Sequence, residues 1–215
     1  MLTRIQARNY RCLKQVDQSL TGFEVLVGGN GVGKSTFLDV ICLLGEIVRQ
    51  PRNGLLSALQ ARSGNFDDLL FDTSIGFFEL AVEATFPESV ANKTKLFGPD
   101  SVVRYQIKIG FTDVERTKIS ILDEHVLLGQ ADSTLNKRPT SDETILEPIE
   151  FSPTYQSDQR FAVVSRSKDV ALYQDESLIE PGRERQYSFN LGQNSSAFAN
   201  LPEDSFGFPV ATWCR

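Results

Sequence analysis

The alternation of apolar and polar positions divides the chain into elements. Phe23–Val27, FEVLV, is a short apolar, β-forming run, the pattern of a buried strand. GGNGVGKST turns the chain, and Phe37, Val40, Ile41, Leu44, Ile47 and Val48 then recur at helical spacing, predicting a helix from about Gly33. Gly76–Phe86, Ser101–Phe111 and Thr117–Leu128 read as three further strands. In the second of these, Val103, Tyr105, Ile107 and Ile109 alternate with Arg104, Gln106 and Lys108, which predicts a sheet with one wet face. The short connections suit a meander, and FAVVSRSKDVALYQD reads as a later strand extending it. The intervening GQADSTLNKRPTSDETILEPIEFSPTYQSDQ is polar and carries three prolines, as a long surface insertion would. Residues from about Pro181 to Pro209 read as irregular, with a helical suggestion near Ser195–Leu201. There is no internal repeat and no coiled-coil heptad.

Composition narrows the class. The chain has 215 residues, enough for one sizeable core or a core with an inserted subdomain. Hydrophobic residues are 40% and charged residues 23%, ordinary for a soluble globular protein. No stretch approaches the roughly 18 apolar residues of a membrane span, and MLTRIQARNY lacks the form of a signal peptide. The expectation is a cytoplasmic protein without a membrane partner. Cys12, Cys42 and Cys214 are far apart and in no paired spacing, as reduced thiols would be. The single histidine, His125, excludes a multi-histidine metal site within this chain, and no nucleophile motif accompanies it. A net charge of −6 and a pI near 4.9 argue against nucleic acid held by the overall field. Arg4, Arg8, Arg11 and Lys14 form a local basic run whose plain reading is the solvated ends and edges of two strands.

The candidate chemistry lies in the turn. A strand, then G-x-x-x-x-G-K-[ST], then a helix is the context of a phosphate-binding loop. Gly28, Gly31 and Gly33 permit backbone conformations that a Cβ would obstruct, so successive N–H groups point inward. With the positive end of the helix they form an anion site. The expected nucleotide ligands run through Gly28, Gly29, Asn30, Gly31, Val32, Gly33, Lys34, Ser35 and Thr36. Lys34 would reach the β- and γ-phosphates, Ser35 would offer its hydroxyl to Mg²⁺, Thr36 would contact the α-phosphate, and Asn30 at the tip would approach the γ-phosphate. Four constrained positions would match by chance in such a chain on the order of 1% of the time, so the expected cofactors are ATP and Mg²⁺.

LTRIQARNYRCLKQVDQSLTGFEVLVGGNGVGKSTFLDVICLL resembles the N-terminus of ABC-type ATPases of the SMC/RecF/OLD group, which shade into proteins described as AAA-family ATPases. The shared features are Asn9-Tyr10-Arg11 closing a first strand, the loop Gly28–Thr36, and Leu38-Asp39-Val40-Ile41 in the helix; GNFDDLLFD and the following strands fit more loosely. The resemblance implies an α/β P-loop ATPase head lobe: a mixed sheet wrapped on the Gly33–Val48 helix, with an antiparallel β-subdomain, incomplete at the C-terminus. Residues 1–75 would be the nucleotide-binding core, 76–180 the β-rich subdomain with its insertion, and 181–215 an irregular tail. It implies that Arg11 lies near the nucleotide and couples it to neighbouring elements. It further implies a homodimer around ATP, coupled to DNA or to an anti-phage defence effector.

Hydrolysis in that family also needs an aspartate for Mg²⁺, a glutamate for water, and a serine-glycine signature loop. No such signature occurs in the sequence. The one candidate acidic pair is Asp123-Glu124 in ISILDEH, and two readings of it stand: a catalytic pair, or the exposed end of an antiparallel strand beside His125. Gln60 is a candidate γ-phosphate sensor or a solvated helix residue, and Asp67 and Asp68 are candidate ligands or an N-cap. Two functions therefore remain open: an ATP-hydrolysing head, or a nucleotide-binding module without its own carboxylates. NKTK and NKRP both lack the aspartate of a guanine-reading N-K-x-D motif, which argues against a GTPase.

Overall fold

The computed structural model describes residues 1–85, 87, 89–90, 101–130, 160–174 and 186–201. Eight strands form one sheet: β1 (Leu2–Tyr10), β2 (Leu13–Ser19), β3 (Phe77–Thr85), β4 (Ser101–Phe111), β5 (Ile119–Gln130), β6 (Arg160–Ser167), β7 (Val170–Gln174) and β8 (Gln186–Asn190). Their order is β2-β1-β3-β4-β5-β6-β7-β8, and every neighbouring pair is antiparallel. Helices α1 (Lys34–Arg49) and α2 (Gly54–Gln60) and two 3-10 turns, Phe66–Leu69 and Phe198–Asn200, complete the described elements.

The period-two pattern sets the faces. One row across the sheet is Ile5, Val82, Tyr105, Val126, Val164 and Tyr173, and the next holds Ala7, Leu80 and Ile107. Against this apolar face lie Phe37, Val40, Leu44 and Ile47 of α1, all buried. The opposite face carries Arg4–Glu83–Arg104 and Arg8–Glu79–Lys108 as cross-strand rows. Arg4 meets Asp17 at 2.5 Å, Arg104 meets Glu83 at 2.7 Å, and Arg8 meets Glu79 at 3.2 Å. The expected polar face is therefore present, but its charges lie flat on one another. Of the basic N-terminal run, Arg4 is paired and largely buried, while Arg8 is paired with Glu79 and still partly exposed.

Four expectations change. Phe23–Val27 is not a strand: its side chains face solvent, with Phe23 82%, Val25 67% and Val27 87% exposed. A β-forming sequence becomes a strand only where a neighbour completes its ladder, and among the described residues none does. For the same reason the described sheet is wholly antiparallel instead of mixed. The FAVVSRSKDVALYQD segment is two strands, not one, because Lys168, at φ 55°, turns β6 into β7. The tail expected to be irregular contains β8, while its helical suggestion is met by the second 3-10 turn. The boundary drawn at residue 75 falls just before β3, which pairs directly with β1. Residues 131–159 of the expected insertion lie outside the described residues, as does Cys214.

Candidate nucleotide site

The loop Gly28–Gly33 leads into α1, with Gly33 as its N-cap at φ 97°. Gly31 is also left-handed, at φ 81°. A Cβ on Gly33 would lie 3.0 Å from the Cys12 sulfur and 3.2 Å from Leu13 Cδ2, so the loop packs against the β1–β2 turn as closely as glycine allows. Cys12 Sγ also lies 3.3 Å from Thr36 Oγ1. Among the described residues, the N–H groups of Gly31, Gly33 and Lys34 have no protein acceptor. Lys34 Nζ donates to the carbonyls of Gly28, at 2.8 Å, and Gly29, at 2.6 Å, and no described carboxylate pairs with it. Ser35 is exposed at the first turn of α1, and Asn30 and Val32 are exposed on the loop. Free N–H donors, a lysine held only by loop carbonyls and a backbone that a Cβ would obstruct at Gly33 fit a polyphosphate.

The turn after β1 braces this loop. Asn9 and Arg11 both have positive φ, 58° and 50°, an uncommon conformation for non-glycine residues. Asn9 is buried. Its Nδ2 donates to the carbonyls of Asp72 and Phe77, and its Oδ1 accepts from Asp72 N–H at 2.6 Å. Arg11 N–H donates to Leu69 O at 2.9 Å. Tyr10, between them, is fully buried, and its hydroxyl donates to Asp39 Oδ2 at 2.6 Å. Asp39 also accepts from Arg62, whose other arm reaches Glu46 at 2.6 Å. Arg11 approaches Asp39 at 3.7 Å. Burial and the hydrogen bond to Asp39 push the Tyr10 hydroxyl well above its ordinary range. Burial works against ionisation of Asp39, but the hydrogen bonds from Arg62 and Tyr10 and the nearby guanidinium charges outweigh it and hold its pKa low. The N-Y-R and L-D features are thus two ends of one contact. Sequence reasoning quoted both but missed their connection, and nothing in the sequence marked Arg62 as the third member.

The other candidates are placed elsewhere. Asp123 and Glu124 lie within β5, three strand spacings or about 14 Å from β1. Glu124 is not at an exposed strand end. It is fully buried, and it accepts from Tyr105 Oη at 2.9 Å, Ser196 Oγ at 2.5 Å and Ala197 N–H at 2.7 Å. Asp123 faces the opposite side and meets His125 Nε2 at 2.9 Å. Gln60 is the exposed last residue of α2. The cap of the first 3-10 turn is Asn65, which accepts from Asp67 N–H at 3.1 Å; Asp67 pairs with Arg116, and Asp68 accepts from Ser63 at 2.7 Å. Among the described residues, no group of three His, Cys, Asp or Glu side chains is placed to hold a metal ion. No described helix is long and apolar enough to cross a membrane.

The glycine loop caps α1, and α1 packs on the apolar face of the antiparallel sheet. The chain belongs to the family described as "AAA domain, putative AbiEii toxin, Type IV TA system", which matches residues 23–204. It is also 46% identical over 48 residues to an OLD nuclease of Thermus scotoductus (strain ATCC 700910 / SA-01), an alignment covering 22% of this chain and 9% of that relative. A solved structure from work on ATP-driven dimerization and DNA-stimulated activation of SMC ATPases aligns with a TM-score of 0.37 and 20% identity, over 59% of this chain and 68% of that one. The family match and the OLD nuclease alignment bear out the resemblance to ABC-type P-loop ATPases.

Proposed function

We propose that Gly28–Thr36 binds MgATP and that this chain is the nucleotide-binding part of an SMC/RecF/OLD-like ATPase. The observation that carries the reading is the loop itself, with Gly31 and Gly33 at positive φ and with Lys34 held only by loop carbonyls. A bound nucleotide would take Lys34 from those carbonyls to its β- and γ-phosphates, and the N–H groups of Gly29 to Lys34 would line the phosphate chain. Ser35 would offer its hydroxyl to Mg²⁺, Thr36 would contact the α-phosphate, and Asn30 and Val32 would lie at the tip. Arg11 stands beside Asp39, which lies one turn along α1 from Ser35 and Thr36. Mg²⁺ supplies charge neutralisation of the phosphates. In the complete protein, hydrolysis would occur in a homodimer around ATP, coupled to DNA or to a defence effector, in the cytoplasm.

A specific observation favours the second reading, nucleotide binding without hydrolysis, for these residues taken alone. Glu124 is consumed by hydrogen bonds in the core, and Asp123 is paired with His125 on the far face. Neither adjoins the loop. The exposed Phe23–Val27 run and the exposed Leu38 and Ile41 of α1 fit a further strand layer, which would bring the catalytic carboxylates with it. The test is MgATP affinity and turnover of the chain beside Lys34→Ala. The expected result is at least a tenfold loss of affinity, about 1.4 kcal/mol or more, with unchanged thermal stability and no turnover above the mutant. Unchanged affinity removes the cradle, and turnover lost in Lys34→Ala restores Asp123-Glu124 as the acidic pair.

A further inference from the structure

Two arginines face Asp39, and they are bound to it differently. Arg62 Nη2 lies 2.7 Å from Oδ1, Nε donates to both oxygens at 3.0 Å, and the side chain is 7% exposed. Arg11 stops at 3.7 Å, with its side chain 40% exposed. The Tyr10 hydroxyl takes a further site on Oδ2. The carboxylate is therefore satisfied without Arg11, whose guanidinium remains a nearly uncommitted cation. The backbone fixes where the Arg11 side chain leaves the turn, beside the loop. Arg11 is left-handed, its N–H is bonded to Leu69 O, and the next residue, Cys12, touches Thr36 and crowds Gly33. Asp39 lies one helical turn beyond Ser35 and Thr36.

We infer that Arg62 is a positioning residue for the nucleotide site: by neutralising Asp39 it keeps the Arg11 guanidinium available to the phosphate oxygens of a nucleoside triphosphate on the loop. The inference rests on the phosphate-loop reading above. Its physical content is competition for one anion. Arg62 spans Asp39 and Glu46, so the four side chains Arg11, Arg62, Asp39 and Glu46 balance in charge. Without Arg62 two carboxylates face one arginine in a half-buried setting, and the planar guanidinium of Arg11 closes onto Asp39.

The test is MgATP affinity of Arg62→Met, Asp39→Asn and the double variant, with Lys34→Ala alongside. Methionine retains much of the apolar stem of Arg62. Arg62→Met is expected to weaken binding by on the order of tenfold. Asp39→Asn retains wild-type affinity, and the double variant returns to within about twofold of wild type because the competing carboxylate is gone. A merely structural Arg62 gives the opposite result, a double variant as weak as Arg62→Met or weaker, and that overturns the inference. So does Arg62→Met with wild-type affinity while Lys34→Ala has lost binding. Lys34→Ala with wild-type affinity defeats the phosphate-loop reading instead. If Arg62→Met does not fold, Glu46→Gln at the more exposed end of the network decides. Arg62 then commits wholly to Asp39 and affinity holds or rises, whereas a tenfold fall overturns the inference.

Discussion

At the residue scale, the glycines of the loop are not equivalent. Gly33 is left-handed at φ 97°, and a Cβ there meets Cys12 Sγ at 3.0 Å, whereas a Cβ on Gly29 meets nothing within 4 Å. Gly33→Ala is therefore expected to cost about 1–2 kcal/mol, the penalty of a left-handed L-residue, and to lose MgATP binding as the loop shifts from the β1–β2 turn. Gly29→Ala should stay within about 0.5 kcal/mol of the parent. Urea denaturation of the two variants checks this, and equal stabilities would mean that the close approach at Cys12 does not constrain the loop. The loop was legible in sequence because its chemistry needs fixed residue types at fixed spacing. The brace of Asn9, Tyr10, Asp39 and Arg62 was only half legible, since its members are brought together from β1, α1 and the end of α2 by tertiary packing and obey no local spacing.

At the scale of elements, the strands of the meander were readable because period two is a local property: Val103 to Ile109 alternate with polar residues in sequence and in the sheet. Glu124 was not readable. It occupies a core row between Ile107 and Arg166, where the pattern calls for an apolar side chain. The explanation is the Gly192–Asn200 segment. Glu124 accepts N–H groups of Ala197 and Phe198, Arg166 donates to the carbonyls of Lys168, Gly192 and Ser195, and Tyr173 Oη donates to Ala197 O at 3.0 Å. Burial, with the Glu124 charge adding to it, raises the Tyr105 hydroxyl pKa, so that hydroxyl stays protonated as a donor. Asn200 then reaches the carbonyl of Pro51 beyond α1 at 2.9 Å. The buried carboxylate thus fastens a strap across the apolar face. Glu124→Ala strands these donors and the Arg166 charge, and is expected to cost about 3–5 kcal/mol. A loss below about 1 kcal/mol in chemical denaturation would mean that the strap is held by Phe198 packing alone. MgATP affinity measured well below the denaturation midpoint should be unchanged, because Glu124 on β5 lies three strands along the sheet from β1, whose turn packs against the loop.

At the scale of the whole molecule, the sequence of Phe23–Val27 and the structure disagree in an informative way. One face of that run, Phe23, Val25 and Val27, is wholly apolar, and the other sets Glu24 beside Leu26, as in a strand that needs a ladder neighbour and a layer packed on one face. Among the described residues the antiparallel sheet does not include it: β2 ends at Ser19 and pairs only with β1. Helix α1 has the same duality: Val40, Leu43 and Ile47 are buried on the sheet, while Leu38 and Ile41 are 51% and 38% exposed on its other side. Propensity reports what a segment would do with a partner, and the missed strand reflects that rather than a misread pattern. Amide hydrogen exchange distinguishes the states directly. In this chain, Glu24–Val27 amides are expected to exchange at nearly unprotected rates, while the Ile5 and Ala7 amides of β1, between β2 and β3, exchange only on global unfolding. MgATP alone should protect the N–H groups of Gly31 to Lys34 without protecting Glu24–Val27, because phosphate contacts reach the loop but do not build a ladder. Strong protection of Glu24–Val27 in the free chain would mean that these residues already have a strand neighbour and that the wholly antiparallel sheet is not the full β-structure of the protein.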